Sequence, residues 1–502
     1  MFDLSSDFDP SLQTHEFLIL TDAGPAASPG FCGHHVCLGN RLGHWQLTDA
    51  RGQLRGYMIG WVFGAGVPAG GGTFAGPQDD QSYADWAWHL SGKFVCYLAA
   101  PDGGPGSFHL DATGSLGLVY DPADRSLAAA PQLLPSVASR IDARFEARCR
   151  DRFASHGHFG FGETAVEGVF RLMPDFALDA RTFEAQRLWP LAPCTAGEAS
   201  GDRARLDAVF DAVSQTVGQV LSRGHGALHL TAGVDSRMVL AAAWRWRTEL
   251  PLFTIAPTGG GRSVDTEIAG AIVRRHGLRH LIIASSPLTD SEEQAALRHT
   301  GYCVSDPSTA VARISGFLER DLHFVSGIGG EVGRCFWWDA SDIDAPRPTV
   351  DALLDRTGVV TGPGTRAAAE AWLAGLPDMP TPLIWDLAYR EIRLAHWAGV
   401  MTYAFRGNQP AMSAFNSLAA VRAMMALSPG YRASGRFARD FIALGAPELL
   451  EFPFNRTSGW RRLLDARGLA RALLPARAYR QLKSGLRDLR RATAGLRSRT
   501  AP

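Results

Sequence analysis

The order of apolar and polar positions divides the chain into two parts. Up to about residue 195, short apolar or aromatic runs alternate with Gly/Pro-rich stretches, as at 64–72 and 101–106. This pattern predicts β-strands joined by turns. The predicted strands cover 16–20, 56–62, 92–98 and 116–120. A joint rich in Pro, Ala, Gly and Ser follows at 190–201 and predicts a boundary between two domains.

After the joint, the apolar residues change to helical spacing and the pattern then alternates between two kinds of element. The first predicted helix carries Leu206, Val209, Phe210, Val213, Val217, Val220 and Leu221. Predicted strands at 227–230, 252–256, 281–283 and 323–326 alternate with helices that include one from Ser236 and one through 267–275. Such alternation predicts βαβ units and a parallel sheet. We therefore expect an α/β and α+β protein, a β-rich domain followed by a doubly wound parallel-sheet domain.

Composition narrows the class of protein. The 502 residues hold 50 Lys+Arg and 50 Asp+Glu, with 46% apolar and 20% charged residues, which excludes a disordered or fibrous protein. Apolar runs stay too short for a membrane-spanning helix. The start, Met1-Phe2-Asp3-Leu4, lacks a basic segment before an apolar one, so we expect no signal peptide and a cytoplasmic protein. Seven scattered cysteines predict free thiols.

Basic residues gather at the C-terminal end. Residues 461–502 hold twelve Lys/Arg and two Asp/Glu. This segment is a candidate contact for an anionic lipid, nucleic acid or phosphate-bearing partner, and the alternative is a solvated basic helix. Lys93 and Lys483 are the only lysines. A mechanism that needs an ammonium therefore has two candidates.

The turn after the first predicted parallel strand has the features of a phosphate-binding loop. Small residues let the backbone approach an anion, hydroxyls and N–H groups at a helix start bind it, and an Asp can hold Mg²⁺. No Gly-Lys-Ser/Thr follows, so this is not a Walker A loop. The alternative is a turn whose Gly and Asp only cap the helix. The candidate binding residues are Leu230, Thr231, Ala232, Gly233, Asp235 and Ser236.

The loop resembles the S-G-G-x-D-S pyrophosphate loop of the asparagine synthetase superfamily, with Thr231 and Ala232 in place of Ser and Gly. Three further segments resemble motifs of this superfamily in the same order. They are the acidic pair at 265 and 267, the stretch 326–331 (S-G-I-G-G-E), and the stretch 473–485, which contains Lys483. Residues 90–94 and 111–120 are similar to motifs of its glutaminase-like domain.

The resemblance implies three regions and an activity. Residues 1–195 would form an Ntn-type glutaminase-like sandwich, 200–475 an ATP-pyrophosphatase domain, and 476–502 a basic tail. A substrate carboxylate would attack the α-phosphorus of ATP, releasing pyrophosphate, and ammonia or an amine would then attack the acyl-adenylate. The implied cofactors are ATP and Mg²⁺, with Asp235 and Glu331 as metal ligands and Lys483 neutralising the intermediate. Gly327, Gly329 and Gly330 would join the loop in binding the nucleotide.

Several positions depart from the superfamily pattern. Phe2 stands where glutamine-hydrolysing members have a cysteine, so we expect no glutaminase activity. Glu331 replaces an Asp, Val332 a Glu, and Ile328 an acidic residue of asparagine synthetases proper. The departures weaken an asparagine synthetase assignment more than a general amide ligase assignment.

Three kinds of function remain open from the sequence. They are an amide-forming ligase that uses ammonia or an amine, an asparagine synthetase fed by free ammonia or by another glutaminase, and a non-catalytic scaffold. A nucleic-acid-modifying relative is a weaker fourth, since the chain has no net basic charge. The ligase leads because an Asp and a Glu persist at the pyrophosphate site. Asp265 and Glu267 have either a nucleotide- or substrate-binding role, or they only compensate the dipole of a helix that Ser263 caps.

Overall fold

The computed structural model describes residues 15–22, 27–77, 83–137, 140–141, 145, 149, 157–223, 226–257, 262–285, 289–304, 323–404 and 411–455. Phe2, Lys483 and the segments 473–485 and 476–502 lie outside the described residues, so the predictions about them stay predictions. Among the described helices, none is long and apolar enough to cross a membrane.

Two sheets make up the N-terminal part. The first contains five antiparallel strands in the order β10-β8-β9-β1-β2, and the second contains seven in the order β12-β11-β7-β6-β4-β3-β5. Neighbours in the second sheet are antiparallel except β3 and β5. The strands are β1 Phe17–Leu20, β2 His35–Leu38, β3 Gly43–Thr48, β4 Leu54–Phe63, β5 Gly72–Ala75, β6 Ser91–Leu98, β7 Ser107–Leu110, β8 Val119–Asp121, β9 Ser126–Ala128, β10 Phe170–Arg171, β11 Phe176–Asp179 and β12 Ala185–Arg187.

Apolar side chains from both sheets share one core. Phe17 and Ile19 of β1 belong to the same buried cluster as Tyr57 of β4 and Val95 of β6. The β4–β6 ladder requires glycine at position 60, because a Cβ there would lie 2.1 Å from the Lys93 carbonyl oxygen. Three predicted strands, at 16–20, 56–62 and 92–98, are thus confirmed with small shifts at their ends.

The predicted strand at 116–120 is wrong over most of its length, since pairing begins only at Val119. The reason is the side chain of Asp111, whose carboxylate accepts hydrogen bonds from the backbone N–H groups of Thr113, Ser115 and Leu116 at 2.9–3.1 Å. Backbone donors that bond a carboxylate in this way are not available to a neighbouring strand.

The C-terminal part contains a five-stranded parallel sheet, which confirms the α/β class. Its strands are β13 Gly226–His229, β14 Leu252–Ala256, β15 His280–Ala284, β16 His323–Ser326 and β17 Met412–Ser413. They lie in the order β15-β14-β13-β16-β17, and every neighbouring pair is parallel. From the central strand β13, the chain adds β14 and β15 on one side and then returns to add β16 and β17 on the other side. The gap between the carboxyl ends of β13 and β16 is therefore the switch point at which such sheets bind ligands.

Helices connect and cover these strands. The predicted amphipathic helix of the 206–221 pattern is Asp202–Ser222, and five of its seven apolar positions are fully buried. The α-helices are α1 Tyr83–Trp86, α2 Asp202–Ser222, α3 Val234–Ala242, α4 Val264–His276, α5 Asp290–His299, α6 Val350–Thr357, α7 Thr365–Ala374, α8 Thr381–Ala388, α9 Gly399–Met401, α10 Leu418–Ala426, α11 Pro429–Ala433 and α12 Phe437–Gly445. A π-helix, Tyr389–Ala398, continues α8.

Buried ion pairs fasten the two parts together. Arg187 of β12 pairs with Glu391 of the π-helix at 2.8 Å, and the Glu391 side chain is fully buried. Asp175 pairs with Arg390 at 2.5 Å and with Arg422 at 2.9 Å. These contacts fix the π-helix against the N-terminal sheets, which matters because that helix also reaches the switch point.

Breaking the Arg187–Glu391 pair gives a test of this junction. Arg187→Met is expected to lower the free energy of unfolding by about 3–5 kcal/mol, because it leaves a buried carboxylate without its cation. Urea denaturation measures the change. Arg203→Met is the matched control, since Arg203 pairs with Asp207 on the surface with side chains 73% and 44% exposed, where water screens the charges and the pair contributes little to stability. Equal losses in the two variants would contradict the role given to the junction.

Candidate functional site

The predicted phosphate-binding loop starts directly after β13. Leu230 is fully buried, its N–H donates to the Phe253 carbonyl at 2.8 Å, and its carbonyl accepts from Thr254 Oγ1 at 2.7 Å. Both backbone groups of Leu230 are thus used within the sheet. Leu230 fixes where the loop begins, and the residues after it face the switch point.

Two hydroxyls hold the loop in a tight turn. Thr231 Oγ1 and Ser236 Oγ lie 2.9 Å apart. The Thr231 N–H donates to Ser236 Oγ at 3.0 Å, and the Gly233 N–H donates to Thr231 Oγ1 at 3.0 Å. Both hydroxyl residues also line the cavity at the switch point. The loop is therefore shaped before any ligand binds.

Asp265 braces the loop from the neighbouring strand–helix unit. Its Oδ1 accepts the Ala232 N–H at 2.8 Å. Ser263 caps helix α4, as the capping interpretation predicted, in a capping box with Thr266. The backbone N–H of Glu267 donates to the Ser263 carbonyl at 3.0 Å. In the structure, Asp265 touches the loop backbone and thereby positions it.

The turn after β16 packs directly on the start of helix α3. A Cβ at position 327 would lie 2.6 Å from the Asp235 carbonyl carbon, so glycine is required there. Gly329 has φ +95°, and its N–H donates to Glu331 Oε2 at 2.8 Å. Gly330 begins the 3-10 turn Gly330–Arg334 and is buried. The stretch 326–331 thus comes together with the loop, as the sequence predicted.

The two departures beside Glu331 have different surroundings. Val332 is 1% exposed, so its side chain belongs to the core. Ile328 lines the cavity at the switch point. An apolar side chain therefore stands at the cavity wall, at the position for which the resemblance to asparagine synthetases proper implied an acidic residue.

Asp235 lies in an unusual electrostatic environment. Its Oδ2 accepts from Arg334 Nη2 at 2.6 Å. Burial and the neighbouring Glu331 carboxylate raise the pKa of Asp235 to about 7, against the opposing effect of Arg334. Within the described part of the chain, Asp235 Oδ1 has no hydrogen-bond partner. A carboxylate oxygen left in this state beside a second carboxylate favours binding of a cation.

The two carboxylates fit Mg²⁺ that arrives with nucleotide phosphates. Magnesium sites of this kind use one or two carboxylates, phosphate oxygens and water. Asp235 and Glu331 would hold the ion, which neutralises charge on the phosphates when it is bound. The described residues contain no group of three or more His, Cys, Asp or Glu suited to a metal, so the side chains alone do not complete a cage.

The π-helix adds two residues that the sequence did not assign. Burial raises the pKa of Tyr389, and the neighbouring Glu331 carboxylate raises it further. Burial lowers the pKa of Arg393, while Tyr389 and Glu331 oppose the change. Arg393 therefore brings a guanidinium near Glu331. In the sequence, no local pattern distinguishes these two side chains from core residues.

A cavity of about 290 Å³ opens from the switch point toward the N-terminal sheets. Asp235 and Glu331 contribute carboxylates to its lining, and Lys93 of β6 contributes an ammonium. The wall formed by the π-helix and α9 is mostly apolar. A pocket of this size lies at the small end of the usual range of about 300–1,000 Å³ for small-molecule sites.

Because Phe2 stands where glutamine-hydrolysing members have a cysteine, another thiol would have to act as the glutaminase nucleophile. The thiol of Cys32 does not meet the requirements of that role. Burial raises the pKa of Cys32 to about 11, whereas a nucleophilic cysteine needs a thiolate near neutral pH. All seven cysteines are free thiols.

Comparisons with known proteins give only remote likenesses. No protein-family model matches the chain, and no curated protein matches it. A glutamine-dependent NAD⁺ synthetase from Acinetobacter baumannii, in complex with ADP, is 14% identical with a TM-score of 0.19. That match covers 37% of this chain and 41% of the synthetase. An NMN synthetase from Francisella tularensis is 9% identical with a TM-score of 0.19, over 51% of this chain and 97% of its own.

The raised pKa of Asp235 leads to a pH prediction. If Asp235 holds a metal ion on bound nucleotide, binding needs the ionised carboxylate, so affinity for Mg·ATP is expected to rise about tenfold between about pH 6 and about pH 8. Calorimetric titration at several pH values measures this. In Arg334→Met the midpoint moves to higher pH, because the guanidinium that stabilises the ionised form is gone. An unchanged midpoint in that variant would contradict the assignment of the pH dependence to Asp235. Ionisation of ATP itself affects wild type and variant equally, so it cancels when the two are compared.

Proposed function

We propose that this protein is an ATP-dependent amide ligase that adenylates a carboxylate and transfers the acyl group to ammonia or an amine, with AMP and pyrophosphate as products. The observation that carries the proposal is the meeting of two turns at one switch point. The loop after β13 brings Asp235, and the turn after β16 brings Glu331, against each other. Hydroxyls and tight glycine turns surround both carboxylates.

The residues divide into three tasks in this proposal. Thr231 and Ser236, with N–H groups of the loop, would bind the pyrophosphate portion of ATP. Asp235 and Glu331 would hold Mg²⁺ on the phosphates. Arg334 lies beside Asp235 and would neutralise charge that develops on the leaving pyrophosphate.

The acyl transfer step needs a cation near the tetrahedral intermediate. The resemblance implied Lys483 for this task, and that assignment remains a proposal. Arg393 is a second candidate, because its guanidinium interacts with the Glu331 carboxylate. Tyr389, which interacts with Glu331, would orient that carboxylate.

The direct test is carboxylate-dependent exchange of labelled pyrophosphate into ATP over a panel of carboxylic acids. Formation of AMP rather than ADP identifies adenylation. Ammonium, amines and glutamine are then compared as nitrogen donors, and the proposal expects ammonium or an amine to support product formation where glutamine does not. An asparagine synthetase would respond to aspartate alone. Failure to bind Mg·ATP would favour a non-catalytic scaffold.

A further inference from the structure

One lysine lies buried inside the described part of the chain. Lys93 extends from β6, where its backbone pairs with Trp61 of β4, and only 5% of the residue is exposed. Its ammonium donates a hydrogen bond to Thr402 Oγ1 at 2.6 Å. The Thr402 hydroxyl in turn donates to the Ser115 carbonyl at 3.0 Å. Among the described residues, this is the one bond that the ammonium makes, and it has no ion pair.

The charged groups nearby do not supply a counter-ion. Asp111 is the carboxylate that raises the pKa of Lys93, but burial outweighs it and lowers that pKa to about 8. The oxygens of Asp111 already accept bonds from backbone N–H groups and from the Asn416 amide at 2.9 Å. Burial lowers the pKa of His15, which also faces Lys93, to about 4, so its ring is neutral at pH 7. A buried ammonium without a counter-ion is costly.

The ammonium faces the same cavity as the site carboxylates. Lys93 and the hydroxyl residues Thr113 and Ser115 line its N-terminal side, while Asp235 and Glu331 line the side at the parallel sheet. Neither carboxylate pairs with Lys93 within the described residues. Apolar side chains of the π-helix and α9, such as Leu394 and Met401, form the wall between them. The cavity thus has a cation on one side, an apolar wall, and the reaction site on the other.

We propose that Lys93 binds a carboxylate of the acyl substrate, so that the substrate is a small dicarboxylic acid whose second carboxylate is the one activated at the phosphate loop. This inference rests on the proposed function, which decides which of the two carboxylates is activated. It follows from the absence of an ion pair at the Lys93 ammonium. A carboxylate there would supply the negative counter-charge and accept hydrogen bonds from the remaining N–H groups. The apolar wall suits the methylene chain between the two carboxylates.

The test compares matched acids on the whole protein. α,ω-Dicarboxylates of increasing chain length and monocarboxylates of equal length are titrated by calorimetry. The dicarboxylate of fitting length is expected to bind wild type about 10- to 100-fold more tightly than its monocarboxylate. Lys93→Met is expected to remove that preference, so that the two acids bind the variant with equal affinity. Thr402→Val, which keeps the charge but removes its hydrogen-bond acceptor, is expected to give an intermediate loss, and thermal melting confirms that each variant folds.

A proton count adds a readout independent of catalysis. Above pH 8 the amine is largely neutral, so anion binding draws a proton onto Lys93, and titrations in two buffers with different ionisation enthalpies measure this uptake. Uptake in wild type that is absent in Lys93→Met supports the proposal. An equal dicarboxylate preference in both proteins, or no preference in wild type, overturns it. If the preference holds but Mg·ATP does not bind, the Lys93 site stands and the proposed ligase function falls.

Discussion

Replacing Asp235 with asparagine is expected to lower carboxylate-dependent exchange of pyrophosphate into ATP by about 10²–10⁴-fold, roughly 3–5 kcal/mol in transition-state stabilisation. The variant keeps the size of the side chain but removes the charge that Arg334 pairs with at 2.6 Å. It also removes the carboxylate proposed to hold the metal on the phosphates. Exchange of labelled pyrophosphate, measured at saturating ATP, reports the loss.

Two comparisons make this result interpretable. Asp211→Asn changes an exposed carboxylate of helix α2 and is expected to leave exchange unchanged. Urea denaturation of Asp235→Asn is expected to show a folded protein, because the substitution relieves repulsion between two neighbouring carboxylates. Exchange at the wild-type rate in Asp235→Asn would remove Asp235 from the machinery and leave the site without its central residue.

The parallel sheet was predictable because its signals are local. Mostly apolar runs at 227–230 and 252–256 predict buried strands, and the Gly-Val-Asp-Ser turn between strand and helix marks a loop that meets the next such turn. Strand β17 was not predicted. It spans only Met412–Ser413 and pairs with β16 across a long stretch of chain, so its two residues carry no periodic signal.

The same distinction applies to the site. The sequence predicts Thr231, Asp235 and Glu331 as site residues because each lies in a short motif. It does not predict Arg334 or Arg393, since a guanidinium comes close to such residues only through the packing of distant segments. The scarcity of lysine makes Lys93 conspicuous in the sequence. That its ammonium is buried beside the cavity without an ion pair could be known only from the packing of β6 beside the residue that follows α9.

Substitution of Gly327 is expected to have the second large effect, although this residue performs no chemistry. A Cβ at this position would lie 2.6 Å from the carbonyl carbon of Asp235 and 2.7 Å from its carbonyl oxygen. These are backbone atoms, so the clash is relieved only if the loop and the turn after β16 move apart. Gly327→Ala is therefore expected to lower pyrophosphate exchange by about 10²-fold, since a displacement of about 1 Å at a reacting centre costs that much.

The matched control is Gly430→Ala. Gly430 lies in helix α11, and a Cβ there would have no heavy atom within 4 Å, so the change is expected to preserve exchange and to stabilise the helix by about 0.5–1 kcal/mol. The decisive experiment measures both pyrophosphate exchange and Mg·ATP affinity in the two variants. Full exchange in Gly327→Ala would show that the two turns need not stay in contact. The carboxylates they carry would then act separately, because a shared metal-phosphate site depends on the spacing that Gly327 permits.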